Sequence, residues 1–156
     1  MTYEAQSGAH VWLVLWKASR AVGSYAGQSI TGRDISGMDF AVLEALLHKG
    51  PLPVNEIGRK VLLTSGSITV AVDRLEAKGL VERRPSPTDR RARIVHLTDE
   101  GERLIAGAYA EHAADLERLV NSALTARERS TLIRLLKKIG FEAAAESKRE
   151  AGGHTA

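Results

Sequence analysis

The 156-residue chain contains no cysteine. That absence excludes disulfides, thiolate zinc sites and cysteine redox switching. Long hydrophobic runs are missing too. The longest, Val11 to Trp16, is far too short to span a bilayer, and it lacks the basic flank and small-residue cleavage site of a signal peptide. The expected compartment is therefore the cytoplasm, with no membrane partner. Histidines are few and scattered, at His10, His48, His96, His112 and His154. His112 has no histidine one helical turn away, at Ala108 or Leu116, so it reads as a core residue rather than a ligand. Neither a metal nor a cofactor is expected. No Ser-His-Asp set, glycine-rich phosphate loop or paired-carboxylate motif stands out, so the chain does not read as an enzyme. Proline is scarce, and its four copies fall in two pairs, Pro51/Pro53 and Pro85/Pro87. Each pair marks a connection.

What is present is 44% hydrophobic residues, enough for a real core at the length of one ordinary domain. Apolar spacing and caps predict a mainly α chain with one small β element. A first helix is expected from about Ala9 to Ala26, apolar nearly all round at Val11 to Trp16. A helix without a polar face must be covered on more than one side, and in so small a protein a second subunit is a natural cover. Ser36 is a fair N-cap for a second helix ending near Gly50, with Phe40, Leu43, Leu46 and Leu47 inward. A short helix from about Val54 to Lys60 follows. Thr64 or Ser65 then caps another, which buries Ile68, Ala71, Val72 and Leu75 and stops at Gly79. Leu80 to Leu97 reads as a hairpin. Thr98 starts a long helix, and the capping box Thr125-Ala126-Arg127-Glu128 starts the last, with a stripe of Leu132, Leu135, Leu136 and Ile139.

The formal net charge is only +3, but its distribution is uneven. Basic residues crowd the segment from Arg59 to Arg93, whereas acids dominate from Asp99 to Glu117. Five arginines, Arg83, Arg84, Arg90, Arg91 and Arg93, sit in or beside the hairpin loop. An exposed cationic loop beside a compact helix pair is suited to gripping a polyanion. The order helix, turn, helix, hairpin is that of a winged helix-turn-helix, whose second helix enters the major groove of DNA. At 100° per residue, Gly66, Val70, Asp73 and Ala77 lie opposite the buried face. Hydroxyls at Ser65, Ser67 and Thr69 suit phosphate or base-edge hydrogen bonds, and Val70 suits a thymine methyl. For Ser65 simple capping is the competing role. Arg74 is placed for a phosphate, with a bridge to Asp73 or Glu76 as the alternative. Arg84 and Arg93 extend the cationic wing, and Arg90 or Arg91 at its tip suits the narrow minor groove. Asp89 reads as a brace for an arginine there, or as a plain turn residue. A winged-helix protein-interaction module without specific DNA binding is the functional alternative.

The run Asp73-Arg74-Leu75-Glu76-Ala77-Lys78-Gly79-Leu80-Val81, then Asp89-Arg90-Arg91, then Val95-His96-Leu97-Thr98-Asp99-Glu100-Gly101 resembles the multiple-antibiotic-resistance regulator (MarR) family. The resemblance covers about residues 9 to 148. It implies a homodimeric transcription factor, usually a repressor, that binds a pseudo-palindromic operator in double-stranded DNA and is often released by a small aromatic or phenolic molecule. Residues 1–30 would be an N-terminal dimerisation helix, 31–98 the winged helix-turn-helix, 99–150 the C-terminal dimerisation helices and 151–156 a disordered tail. Arg91 would be the minor-groove residue, with Asp89 as its brace. Val70 departs from the arginine or polar residue common at its position, which shifts base reading toward Ser67, Thr69 and the wing. Lack of cysteine excludes the peroxide-sensing branch. The effector pocket implied by the resemblance, between the first helix, the second and the base of the fifth, points to Trp12, Trp16, Arg20 and Met38, where tryptophan stacks on a ring and arginine meets a carboxylate or phenolate.

Overall fold

The computed structural model describes residues 7–30, 32–61, 64–89 and 92–152. Among the described residues, five of the six helices begin at a serine or threonine whose hydroxyl accepts an orphan N–H of the first turn. α1 (Gly8–Gln28) opens at Ser7, whose hydroxyl accepts from the His10 N–H at 3.2 Å. α2 (Gly37–Lys49) opens on a capping box: the Ser36 hydroxyl accepts from the Asp39 N–H, and the Asp39 carboxylate accepts from the Ser36 N–H. It ends at Gly50, where φ is +75°. β1 (Leu52–Pro53), α3 (Val54–Val61) and α4 (Ser65–Ala77) follow. α4 is capped by Thr64. It closes in a Schellman motif, with Gly79 at φ +70° and N–H bonds from Gly79 to Glu76 and from Leu80 to Leu75. β2 (Val81–Pro85), β3 (Arg93–Leu97), α5 (Asp99–Ala123) and α6 (Ala126–Gly152) complete the order. The Thr125–Glu128 box opens α6 as its spacing predicts.

β3 is the centre of a three-stranded antiparallel sheet in the order β1-β3-β2. β2 and β3 form the expected hairpin, in register from Val81 opposite Leu97 to Pro85 opposite Arg93. β1 was not expected. Two residues flanked by prolines carry a turn signal, and pairing with Val95 and Ile94 makes them an edge strand, where proline is tolerated.

Contacts divide the chain into two compact units, Met1–Asp115 and Leu116–Ala156. In the first, the core is built from Phe40, Val42, Leu43 and Leu46 of α2, Ile57 of α3, Ile68, Ala71, Val72 and Leu75 of α4, Leu80, Val81 and Val95 of the hairpin, and Ile105 and Ala108 of α5. The start of α5 is locked to the end of α4. Thr98 donates from its N–H to the Leu80 carbonyl and from its hydroxyl to the Gly79 carbonyl, while accepting from the Gly101 N–H. Backbones approach so closely there that a Cβ on Gly101 would lie 1.9 Å from the Leu80 oxygen. The half-buried imidazole of His112 is indeed satisfied within the protein, by the Ser29 hydroxyl at 2.9 Å and the Phe40 ring at 4.9 Å.

In the second unit Arg129 pairs with Glu117 at 2.7 Å. Two apolar faces are left open. α1 exposes Val11, Trp12, Val14, Trp16 and Val22, and α6 exposes Leu132, Ile133, Leu135, Leu136, Ile139 and Phe141. Among the described residues no helix is long and apolar enough to cross a membrane.

Candidate nucleic-acid interface

Gly66, Val70, Asp73 and Ala77 of α4 are exposed, as the helical spacing predicts, and Thr69 on the flank is exposed with them. Val70 is 59% exposed, a large apolar side chain held out on a rigid element beside polar neighbours. Ser67 is half-buried and shares the cap, its hydroxyl accepting from the Thr64 hydroxyl at 2.9 Å. The Ser65 side chain lies outside the described part of the molecule.

The charged residues of α4 are paired with other elements on both sides. Arg74 turns to α2, donating from Nε and Nη2 to the Asp39 carboxylate at 2.5 to 3.1 Å. It makes this link rather than the expected alternative, a bridge to Asp73 or Glu76. Asp39 is 1% exposed. Burial alone raises a carboxyl pKa, but hydrogen bonds from Arg74 and Ser36 and the nearby guanidinium charge outweigh it, and Asp39 is held below the usual carboxylate range. On the other side Arg83 of β2 pairs with both Asp73 and Glu76, and its backbone N–H donates to Glu76 at 2.9 Å. Asp73 thus orients a neighbouring cation, Arg83. Arg83, counted in the sequence among the cations of the loop, is instead a brace between wing and helix.

Arg84 and Arg93 remain exposed on the wing, Arg84 in a pair with Glu82. The loop between the strands is closed by N–H bonds from Ser86 to Ala92 and from Ala92 to Asp89. The Ser86 hydroxyl also accepts from the Thr88 and Asp89 N–H groups. Arg90 and Arg91 lie outside the described residues, and with them the arginine that Asp89 was expected to brace.

A family model described as MarR family matches residues 33–92. The HTH-type transcriptional regulator MhqR of Bacillus subtilis is 38% identical over 133 residues, which are 85% of this chain and 91% of that protein. The chain belongs to the MarR family. A crystal structure of a mutant MarR from Escherichia coli complexed with operator DNA has a TM-score of 0.70 at 30% identity, over 85% of this chain and 91% of that one. The HTH-type transcriptional repressor NicR of Pseudomonas putida is 33% identical over 105 residues, 67% of this chain and 66% of that protein. As a MarR-family member the chain is a winged-helix transcription regulator and not an enzyme.

The MarR resemblance pointed to four effector-pocket residues, of which three lie on α1 and Met38 lies on α2. Trp12 and Trp16 are exposed on α1, and the Arg20 guanidinium lies 5.3 Å from the centre of the Trp16 ring. Met38 instead lines an open depression with Ser36, Gly66, Ser67, Val70 and Arg74, beside α4. Where α1, α2 and α5 approach one another, His112 is bonded to the Ser29 hydroxyl and lies against the Phe40 ring, and the Tyr25 hydroxyl donates to the Asp115 carbonyl at 3.4 Å. Among the described residues no group of three His, Cys, Asp or Glu could hold a metal.

Asp39 is the residue that sequence reasoning missed. Its signal was an acid at the third position after the Ser36 cap, but its arginine lies 35 residues away in the chain.

Proposed function

We propose that the chain binds a pseudo-palindromic operator in double-stranded DNA as a homodimer and represses transcription. The observation that carries this reading is the exposed α4 face at Thr69 and Val70 beside the exposed Arg84 and Arg93 of the wing, with the acids of that helix paired to Arg83. In this reading α4 lies in the major groove, Ser67, Thr69 and Val70 meet base edges, and Ser65, Arg84 and Arg93 meet phosphates. Arg90 and Arg91 at the wing tip serve the minor groove, with Asp89 beside them. The open apolar faces of α1 and α6 supply the material for a dimer interface.

A gel shift with the region upstream of its own gene, repeated across salt concentrations, tests the assignment. Affinity should fall steeply with salt. Arg84→Ala and Arg93→Ala should each flatten the log–log slope by about 0.9 or less, the value for one phosphate. Val70→Ala should instead change the preferred base at a particular position, by about 1–3 kcal/mol per lost discriminating contact. A salt-insensitive complex without sequence preference would favour a protein-interaction module.

The effector in this reading is a small aromatic acid that engages Trp16 and Arg20 of α1, where an arginine already stacks on an indole. Salicylate should quench tryptophan fluorescence at the concentrations that release DNA, and Arg20→Ala should raise both concentrations together. Quenching without release would disconnect that site from DNA.

A further inference from the structure

We propose that Arg74 is a positioning residue: clamped to Asp39, it fixes the roll of α4 about its axis and thereby the choice of base sequence, and it holds no phosphate itself. The inference rests on the DNA-binding reading above and changes the role that helical position alone assigned to Arg74.

Asp39 is the buried charged residue among the described residues, and its carboxylate is fully engaged. Oδ1 accepts from Arg74 Nε and Nη2 at 3.0 and 2.5 Å, and Oδ2 accepts from Arg74 Nε at 3.1 Å and from the Ser36 N–H at 2.9 Å. Arg74 Nη2 also reaches the Ser36 hydroxyl at 3.4 Å. A guanidinium in this two-pronged geometry is directional, unlike an ammonium, and rotating it toward DNA would leave a buried carboxylate unpaired.

The two ends of the clamp sit on well-anchored elements. Asp39 is the third residue of α2 and is followed by the buried Phe40, so its position is set by core packing. Arg74 follows Val70 by one helical turn and stands next to the buried Leu75. On the opposite flank Asp73 and Glu76 are held by Arg83. Core contacts alone, made by Ile68, Ala71, Val72 and Leu75, are non-directional and tolerate a few degrees of roll. The two ion-pair sets remove that freedom. Roll matters because Thr69 and Val70 must meet base edges to within a fraction of an ångström, whereas a phosphate contact carries no sequence information.

The test uses the full chain, a duplex enriched from a random library by the wild-type protein, and a scrambled duplex of the same composition. Kd for both is measured across a salt series for wild type, Arg74→Ala, Asp39→Asn and the double variant Asp39→Asn/Arg74→Met. The double variant removes both charges together, so no lone charge is buried and the fold is kept. Each single variant is expected to lower the ratio of specific to scrambled affinity at least tenfold, with an unchanged salt slope. The double variant should be no worse than either single, because the two residues act as a unit.

The proposal is overturned if Arg74→Ala flattens the slope by about 0.9 and weakens both duplexes equally, as loss of a phosphate contact would. It is also overturned if the folded double variant keeps the wild-type ratio, or if Asp39→Asn simply tightens binding by removing a negative charge. Failure of the wild type itself to distinguish the two duplexes would remove the DNA-binding reading and this inference with it, an outcome separate from any behaviour of the variants.

Discussion

Gly101→Ala should lower the melting temperature by about 10 °C, the largest effect expected from adding a single methyl group in this chain. The added Cβ would meet the Leu80 oxygen at 1.9 Å, its carbonyl carbon at 2.9 Å and its Cα at 3.2 Å. All three are backbone atoms, so no side-chain rotation relieves the clash. The first turn of α5 must move away from Leu80. Doing so stretches the Thr98 bonds to the Leu80 and Gly79 carbonyls and loosens the fully buried Ile105 one turn later.

Overpacking typically costs about 1–3 kcal/mol, and each lost hydrogen bond about 1 kcal/mol. The better helix propensity of alanine offsets about 1 kcal/mol. A net loss of about 2–4 kcal/mol follows, and about 2–4 °C per kcal/mol for a domain of this size converts its middle to the stated shift. Gly107→Ala is the matched control. It lies in the same helix with nothing within 4 Å of the added atom, and should be neutral or stabilising by up to about 1 kcal/mol. Thermal melts followed by circular dichroism compare the two. Equal melting temperatures would mean that α5 and Leu80 are not as close as described.

The second large effect is expected on α6. Leu132 and Leu136 are each more than two-fifths exposed in the single chain, so glutamate at both positions costs an isolated chain little. If the stripe packs against a second copy, the same changes bury unpaired charge, at about 3–5 kcal/mol where no partner is available. Each 1.4 kcal/mol is a factor of ten, so Leu132→Glu/Leu136→Glu should raise the dimer dissociation constant by about a thousandfold or more. Operator affinity should fall with it, since a monomer holds only one half-site. Should folding depend on association, the double variant will lose helix content as well. Sedimentation equilibrium with circular dichroism reads both results. A dimer of unchanged affinity would place the interface away from this stripe.

Local chemistry was legible in the sequence, and long-range pairing was not. Ser36, Thr64, Thr98 and Thr125 announced helix starts, because a capping hydroxyl acts within three residues of its own position. Gly79 announced an end for the same reason: its positive φ belongs to the local turn. The helical period of Ile68, Ala71, Val72 and Leu75 located the inner face of α4, and so its outer one. β1 escaped notice because two residues between prolines become a strand only when β3 arrives beside them.

The charged residues escaped for a related reason. From sequence, Asp73 and Glu76 were the nearest partners for Arg74, being neighbours on one helix. The fold instead brings Asp39 to Arg74 and gives both acids to Arg83. Counting arginines therefore overstated the cations offered by the wing, since Arg83 is taken up by the acids of α4. Met38 was grouped with the tryptophans of α1 by resemblance alone; in the fold it packs on the core and borders a depression beside α4.

The central claim, that two copies of this chain read DNA through paired α4 helices, is tested most directly by hydroxyl-radical footprinting on a duplex enriched from a random library, with the bound protein counted. Two protected half-sites related by a two-fold axis, centred about 10–10.5 base pairs apart and occupied by two chains, are the expected result. A single protected half-site occupied by one chain, or uniform protection with no enriched sequence, would contradict it.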